Sequence, residues 1–311
     1  MIGIRAIASY VPANHIDNME QAEKYGERGS LVVEKIGALK LPLLPDGNET
    51  SDMVVQAVTK LLEHADLVKE DIDALIVVTQ NPDGFGLPHT AAIAQTKLGL
   101  SDNVAAFDLS LGCSGYVYGL SVLRGLMEQA NLSNGILVTA DPYSKIIDRQ
   151  DRSTSLLFGD ASTATWLSRS PLWEIGTPTL CTDGSGRNSL RVKNNRKLEM
   201  DGRRVFSFAV QQVPKQINSF LHRNNLRLRD VDFFCLHQGS TAIVRAIAKK
   251  FVEVSDRFIL DLELTGNTVS SSIPLILEKH VLTSNAQTVL ISGFGVGLSW
   301  GTNIIQRNEN D

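Results

Sequence analysis

Two periods of apolar residues run through the chain. Residues 1–11 alternate and predict a strand, while residues 50–63 place Met53, Val54, Ala57, Val58, Leu61 and Leu62 at helical spacing, with Ser51 or Thr50 as the expected cap. Residues 72–79 form an unbroken apolar run, as a strand covered on both faces requires. Residues 104–109 are strand-like. Residues 112–130 open on small side chains and carry Val117, Leu120, Val122, Leu123 and Leu126, which predicts a helix. Further on, 205–223 and 241–251 read as helices around a strand at 231–237, and 298–306 as a strand. Alternating helices and buried strands predict a layered α/β fold.

The pattern also echoes itself. Asp71-Ile-Asp-Ala-Leu-Ile-Val-Val-Thr-Gln80 is acidic and then apolar, and Asp230-Val-Asp-Phe-Phe-Cys-Leu-His-Gln238 repeats that form about 160 residues later. Gly135-Ile-Leu-Val-Thr-Ala140 is likewise echoed by Thr288-Val-Leu-Ile-Ser-Gly293. Similar offsets in the same order predict two related halves, 1–168 and 169–311, with no low-complexity linker between them.

With 43% hydrophobic and 21% charged residues, the 311-residue chain has an ordinary globular composition. A net charge of −4 gives no reason to expect nucleic acid or a membrane as partner. The first residues lack a basic segment followed by a long apolar one, so neither a signal peptide nor a span is expected. Three scattered cysteines indicate neither a disulfide framework nor a metal cluster. A cytoplasmic protein is expected, where a thiolate survives as a nucleophile.

Cys113 lies where a strand gives way to a helix, inside Leu111-Gly-Cys-Ser-Gly115. Small neighbours permit a sharp turn that lifts the side chain out of the packing. A helix N-terminus would also lower the thiol pKa. His237 ends an apolar strand, at the kind of strand end where α/β proteins gather their sites. Asn267 sits in Thr265-Gly-Asn-Thr268, ahead of Ser270, Ser271, Ser272 and Pro274. Ser292-Gly-Phe-Gly-Val-Gly297 is a glycine turn able to aim backbone N–H groups at an oxyanion. Taken singly, each also has a structural reading: a buried core thiol, a core histidine, a turn asparagine, a turn between strands. Cys181 and Cys235 read as structural. His15, His64, His222 and His280 read as surface residues, and His89 as a candidate pocket residue.

Together and in this order, these features resemble the 3-oxoacyl-ACP synthase III family. The matching segments are Phe107-Asp-Leu-Ser-Leu-Gly-Cys-Ser-Gly115, Phe158-Gly-Asp160, Leu236-His-Gln238, Gly266-Asn-Thr268 and Gly293-Phe-Gly-Val-Gly-Leu-Ser-Trp-Gly301. The resemblance implies a thiolase-like fold, two duplicated α/β halves in five layers, αβαβα. It implies that Cys113 accepts an acyl group from acyl-CoA, and that His237 and Asn267 stabilise the enolate formed when a malonyl thioester on acyl carrier protein loses carbon dioxide. The backbone N–H groups of Cys113 and Val296 would hold the oxyanion. No metal or redox cofactor is implied. A homodimer is, with Leu87 of Gly84-Phe-Gly-Leu-Pro88 reaching the partner's acyl pocket.

Several positions depart from the family pattern. Val296 replaces a glycine, and Leu87 a common phenylalanine. The segment 26–42 lacks the tryptophan and arginine that relatives place around the CoA adenine, leaving Lys35 as the nearest basic substitute, although Arg152 matches. Ala242 stands where a basic carrier-docking residue is common, while Lys249 and Lys250 persist. These departures point to a specialised relative. Two other activities are compatible with the same residues: acyl transfer from Cys113 to an alcohol or amine, and a partner subunit of a heteromeric synthase. A papain-type protease shares the order Cys, His, Asn, but the duplicated α/β pattern disfavours it.

Overall fold

The computed structural model of the chain describes residues 1–308. Among them, ten strands hydrogen-bond into one sheet: β1 Gly3–Tyr10, β2 Ala74–Val78, β3 Ala105–Leu109, β4 Asn134–Ala140, β5 Ser162–Ser168, β6 Trp173–Ile175, β7 Thr179–Thr182, β8 Phe233–Leu236, β9 Thr288–Gly295 and β10 Ser299–Arg307. In the first half the order is β1-β5-β4-β2-β3, with the β1–β5 and β5–β4 pairs antiparallel and the other two parallel. The second half repeats that scheme. There β6 and β7 lie along β10, β10 pairs antiparallel with β9, β9 pairs parallel with β8, and Phe258 bridges on to Phe234 of β8. The echoed segments thus hold equivalent places, β2 with β8 and β4 with β9. The three residues of β6 stitch the half-sheets together, pairing with β1 on one side and β10 on the other.

Six helices complete the layers: α1 Thr50–His64, α2 Thr90–Leu98, α3 Gly115–Gln129, α4 Gly202–Arg223, α5 Thr241–Ala248 and α6 Ser272–Ile276. α1 and α2 cover the outer face of the first half-sheet, and α4 with α5 covers that of the second. α3 and α6 each touch strands of both halves and fill the space between them. The result is five layers, helix, strand, helix, strand, helix. The central layer explains why the strands read as continuous apolar runs, since both faces are covered. Tyr116, Leu120, Leu123 and Met127 of α3 and Ile273 and Ile276 of α6 are buried there. Each such side chain contributes roughly 1.5–3 kcal/mol by leaving water. Among the described residues, no helix is long and apolar enough to cross a membrane.

Helix boundaries shift where side chains have other work. Neither Thr50 nor Ser51 caps α1; Glu49 does, in a reciprocal box with Asp52. The two hydroxyls instead donate to Asn81 O and Asp83 Oδ2, both at 2.5 Å, tying α1 to the loop after β2. α3 starts at Gly115, because Gly112, Cys113 and Ser114 form a turn closed by Gly115 N–H on Gly112 O at 2.7 Å. α4 starts at Gly202, where Asp201 accepts from Arg204 N–H at 3.1 Å.

Candidate active site

The turn between β3 and α3 delivers Cys113 to the junction of the halves, where it is 4% exposed. Strand β9 presses against it from the second half. A Cβ on Gly293 would stand 2.7 Å from Cys113 O, and one on Gly295 would stand 2.7 Å from Cys113 Cβ and 2.8 Å from Sγ. Those glycines are needed for close approach as well as for the turn. Val296 packs against the apolar cluster that holds Cys113, and its backbone amide and that of Cys113 favour the thiolate.

The expectation of a lowered thiol pKa does not hold. Burial pushes the Cys113 thiol up to about 12, with the Asp141 carboxylate adding to the rise and the two backbone amides opposing it. Desolvation penalises the thiolate, and the helix begins two residues too late to outweigh that. Asp141 is buried too, which raises its own pKa to about 7 against hydrogen bonds from Gln80 N–H and the Ser270 hydroxyl, each 2.7 Å.

His237 follows β8, its N–H donating to Ser292 O of β9 at 2.9 Å. The residue is 3% exposed. Its Nδ1 lies 2.8 Å from Ser272 Oγ at the start of α6, and the ring meets Phe294 edge-on with centroids 5.4 Å apart. Burial lowers its pKa to about 3, against a smaller opposing contribution from the Val269 backbone, so the imidazole is neutral at pH 7. Asn267 is fixed by its backbone, which bonds to Leu157 O at 2.9 Å and accepts from Gly159 N–H at 3.2 Å. Its Oδ1 is occupied by Val269 N–H at 2.9 Å, leaving the amide nitrogen for the cavity.

Cys113, His237 and Asn267 line one cavity of about 140 Å³, otherwise mostly apolar and walled by residues such as Phe206, Ile243 and Phe294. It shares the walls Leu157, Met200 and Gly202 with an open mouth of about 800 Å³. A narrow apolar shaft ending on a thiol, an imidazole and an amide suits a slender thioester arm. No grouping of three or more histidine, cysteine or acidic residues able to hold a metal is found among the described residues.

The chain resembles known proteins along most of its length. The family model for 3-oxoacyl-[acyl-carrier-protein (ACP)] synthase III matches residues 107–184, and that for its C-terminal part matches 221–307. The beta-ketoacyl-[acyl-carrier-protein] synthase III of Lactococcus lactis subsp. lactis (strain IL1403) is 34% identical over 323 residues, covering 97% of this chain and 98% of that protein. The chain belongs to the 3-oxoacyl-ACP synthase III family. The solved synthase III of Thermus thermophilus superposes with a TM-score of 0.91 at 29% identity, covering 98% of this chain and 99% of that one. That of Pseudomonas aeruginosa PAO1 superposes at 0.89 and 28%, covering 99% and 98%. The five layers are the thiolase fold of this family.

The peripheral residues sort differently from the three central ones. Of the synthase III positions expected at the substrate entrance, Arg152 does line the mouth, where it is ion-paired with Glu27. Lys35 is exposed on the turn that supplies Leu31 and Ile36 to the mouth, and is not part of its wall. Lys249 and Lys250 are exposed just past α5 and line neither cavity. Leu87 is 88% exposed, on a loop where Phe85 is 80% exposed. His89 Nε2–H donates to Ala106 O at 3.1 Å. His280 is not simply a surface residue, since its Nε2 lies 2.5 Å from Asp261 Oδ2. Cys235 is buried in β8. Sequence reasoning missed Ser272, Gln80, Tyr143 and Glu27. Ser272 alone carried a signal, as the last of three consecutive serines after Asn267.

Proposed function

We propose that this synthase III family member performs a decarboxylative condensation through an acyl-Cys113 intermediate. The convergence of Cys113, His237 and Asn267 on one cavity is the observation that carries the reading. In the first step the Cys113 sulfur bonds to the carbonyl carbon of an acyl thioester, supplied as acyl-CoA or on a carrier protein. The donor carbon–sulfur bond breaks, and the donor thiol leaves with the Cys113 proton.

A malonyl thioester then enters the emptied shaft. Its carboxylate carbon–carbon bond breaks, carbon dioxide departs, and the electron pair is held as an enolate. The enolate oxygen accepts hydrogen bonds from Asn267 Nδ2 and from His237 Nε2–H, the tautomer in which the Ser272 hydroxyl turns from Val269 O, 3.1 Å away, to donate to Nδ1 at 2.8 Å. A neutral imidazole suits this role, since it donates without having to lose a charge. The carbanion attacks the acyl carbon and the oxyanion rests on the Cys113 and Val296 amides. Collapse expels the Cys113 thiolate, which takes up a proton, and leaves a 3-oxoacyl thioester. Two preorganised donors supply several kcal/mol, removal of one typically costing about 3 kcal/mol. The sequence of steps needs no metal or redox cofactor.

The exposed Phe85–Leu87 loop supports a homodimer in which Leu87 meets the partner's acyl pocket; a monomeric mass in solution would remove that element. Stoichiometric carbon dioxide release from a malonyl thioester, dependent on prior acylation, tests the condensation. Acyl transfer to an alcohol or amine without carbon dioxide release would replace it with simple transferase activity.

A further inference from the structure

A second cavity, of about 200 Å³, adjoins the catalytic sulfur on the other side of the Val296 turn. Leu190 and Val296 give it apolar walls, but Gln80 and Tyr143 also face it. Its nearness to Cys113 rests on three contacts. Val296 packs against the cluster that holds Cys113. Gln80 Oε1 stands 2.6 Å from where a Cβ on Gly112 would be, immediately before Cys113. Tyr143 shares one packed cluster with Cys113, Leu190 and Leu198.

These polar groups are poorly provided for within the chain. Tyr143 is 2% exposed, and its hydroxyl donates to Gln80 Oε1 over a long 3.3 Å. With Oε1 so occupied, the Gln80 amide N–H groups have no partner among the described residues, and the Tyr143 oxygen retains accepting capacity. A plain alkyl chain in this cavity would bury both without compensation, which costs free energy. A carboxylate is not favoured either. Arg191, the cation on the wall, is held by Glu199 at 3.1 Å and Asn188 at 3.0 Å. The volume accommodates about six water-sized groups at roughly 30 Å³ each.

Resting on the acyl-Cys113 reading above, we propose that the acyl group loaded onto Cys113 is short and carries an uncharged oxygen, hydroxyl or oxo, to which the Gln80 side-chain N–H donates, while Tyr143 fixes that amide through its own hydrogen bond to Oε1 and accepts from the group where it is a hydroxyl. Loading itself is unchanged: the sulfur–acyl bond forms, the donor thioester bond breaks, and the donor thiol leaves protonated. Gln80 and Tyr143 select the chain.

The test is the rate of Cys113 loading, read by intact-protein mass, from butyryl-, 3-hydroxybutyryl-, acetoacetyl- and succinyl-CoA. One of the two uncharged oxygenated groups should load with a kcat/KM about tenfold above butyryl, the size of one net hydrogen bond. Tyr143→Phe and Gln80→Leu should each bring that ratio to within about threefold of one. Butyryl or succinyl loading as fast as both oxygenated groups in the wild type overturns the proposal, with no variant needed. So does a preference that survives both substitutions. Loading by none of the four would instead remove the acyl-Cys113 step, a failure distinct from loading with the wrong preference.

Discussion

Gly295→Ala isolates the apposition of the two halves at the Cys113 sulfur. The backbone at 295 does not lie in the left-handed region, so alanine meets no conformational barrier there. Its Cβ, however, would stand 2.7 Å from Cys113 Cβ and 2.8 Å from Sγ. Ordinary carbon contacts lie at roughly 3.5–4.0 Å, so the cysteine or the strand must yield by about 1 Å. A displacement of that size at a reacting atom costs on the order of 10²-fold in rate. Overpacking of this kind costs about 1–3 kcal/mol of stability, small enough for the fold to persist. Acyl loading followed by intact mass, with thermal unfolding measured in parallel, separates the two effects. Loading within about threefold of wild type in a folded Gly295→Ala protein would refute the reasoning, because the sulfur would then tolerate a shift that the account forbids.

Other substitutions divide the reaction into its halves. His237→Ala and Asn267→Ala should each retain Cys113 loading while lowering carbon dioxide release about 10²–10³-fold, as expected for loss of one enolate donor; equal losses in both steps would contradict this. Acid stability should report the buried imidazole. Its folded pKa, about 3, lies below the ordinary value of 6.5, so the unfolded chain binds a proton that the folded one resists. Stability is therefore lost as pH falls from about 6.5 toward 3, and His237→Gln should show a shallower decline of Tm over that window. An identical pH slope in the variant would count against a neutral, buried His237.

Much of the architecture was legible because its determinants are local. The apolar runs of β2, β4, β8 and β9 follow from burial on both faces, and their repetition at similar offsets disclosed the duplication. Cys113 and Asn267 stood out through neighbouring glycines, and those glycines prove to be contacts: Gly293 and Gly295 with Cys113, Gly266 with Leu157 and Gly159. What could not be read depends on distant segments meeting. The thiol pKa rises because β9, some 180 residues further along the chain, closes over Cys113 and removes its water. Tyr143 and Gln80 lie 63 residues apart, and no local periodicity marks their shared cavity. Glu27 and Arg152 are 125 residues apart and meet only at the mouth. Lys249 and Lys250 show the converse, since agreement of type with relatives did not place them on a cavity wall, and Lys35, the nearest basic substitute in a departing segment, does not stand on one either.

The central claim is that Cys113 carries the acyl group through the condensation. Intact-protein mass spectrometry of wild type and Cys113→Ala, incubated with an acyl thioester and then with a malonyl thioester, tests it most directly. The account predicts a mass gain of one acyl group on wild type, discharged with release of carbon dioxide when the malonyl thioester is added, and neither event in Cys113→Ala. Acylation and turnover undiminished in Cys113→Ala would contradict it.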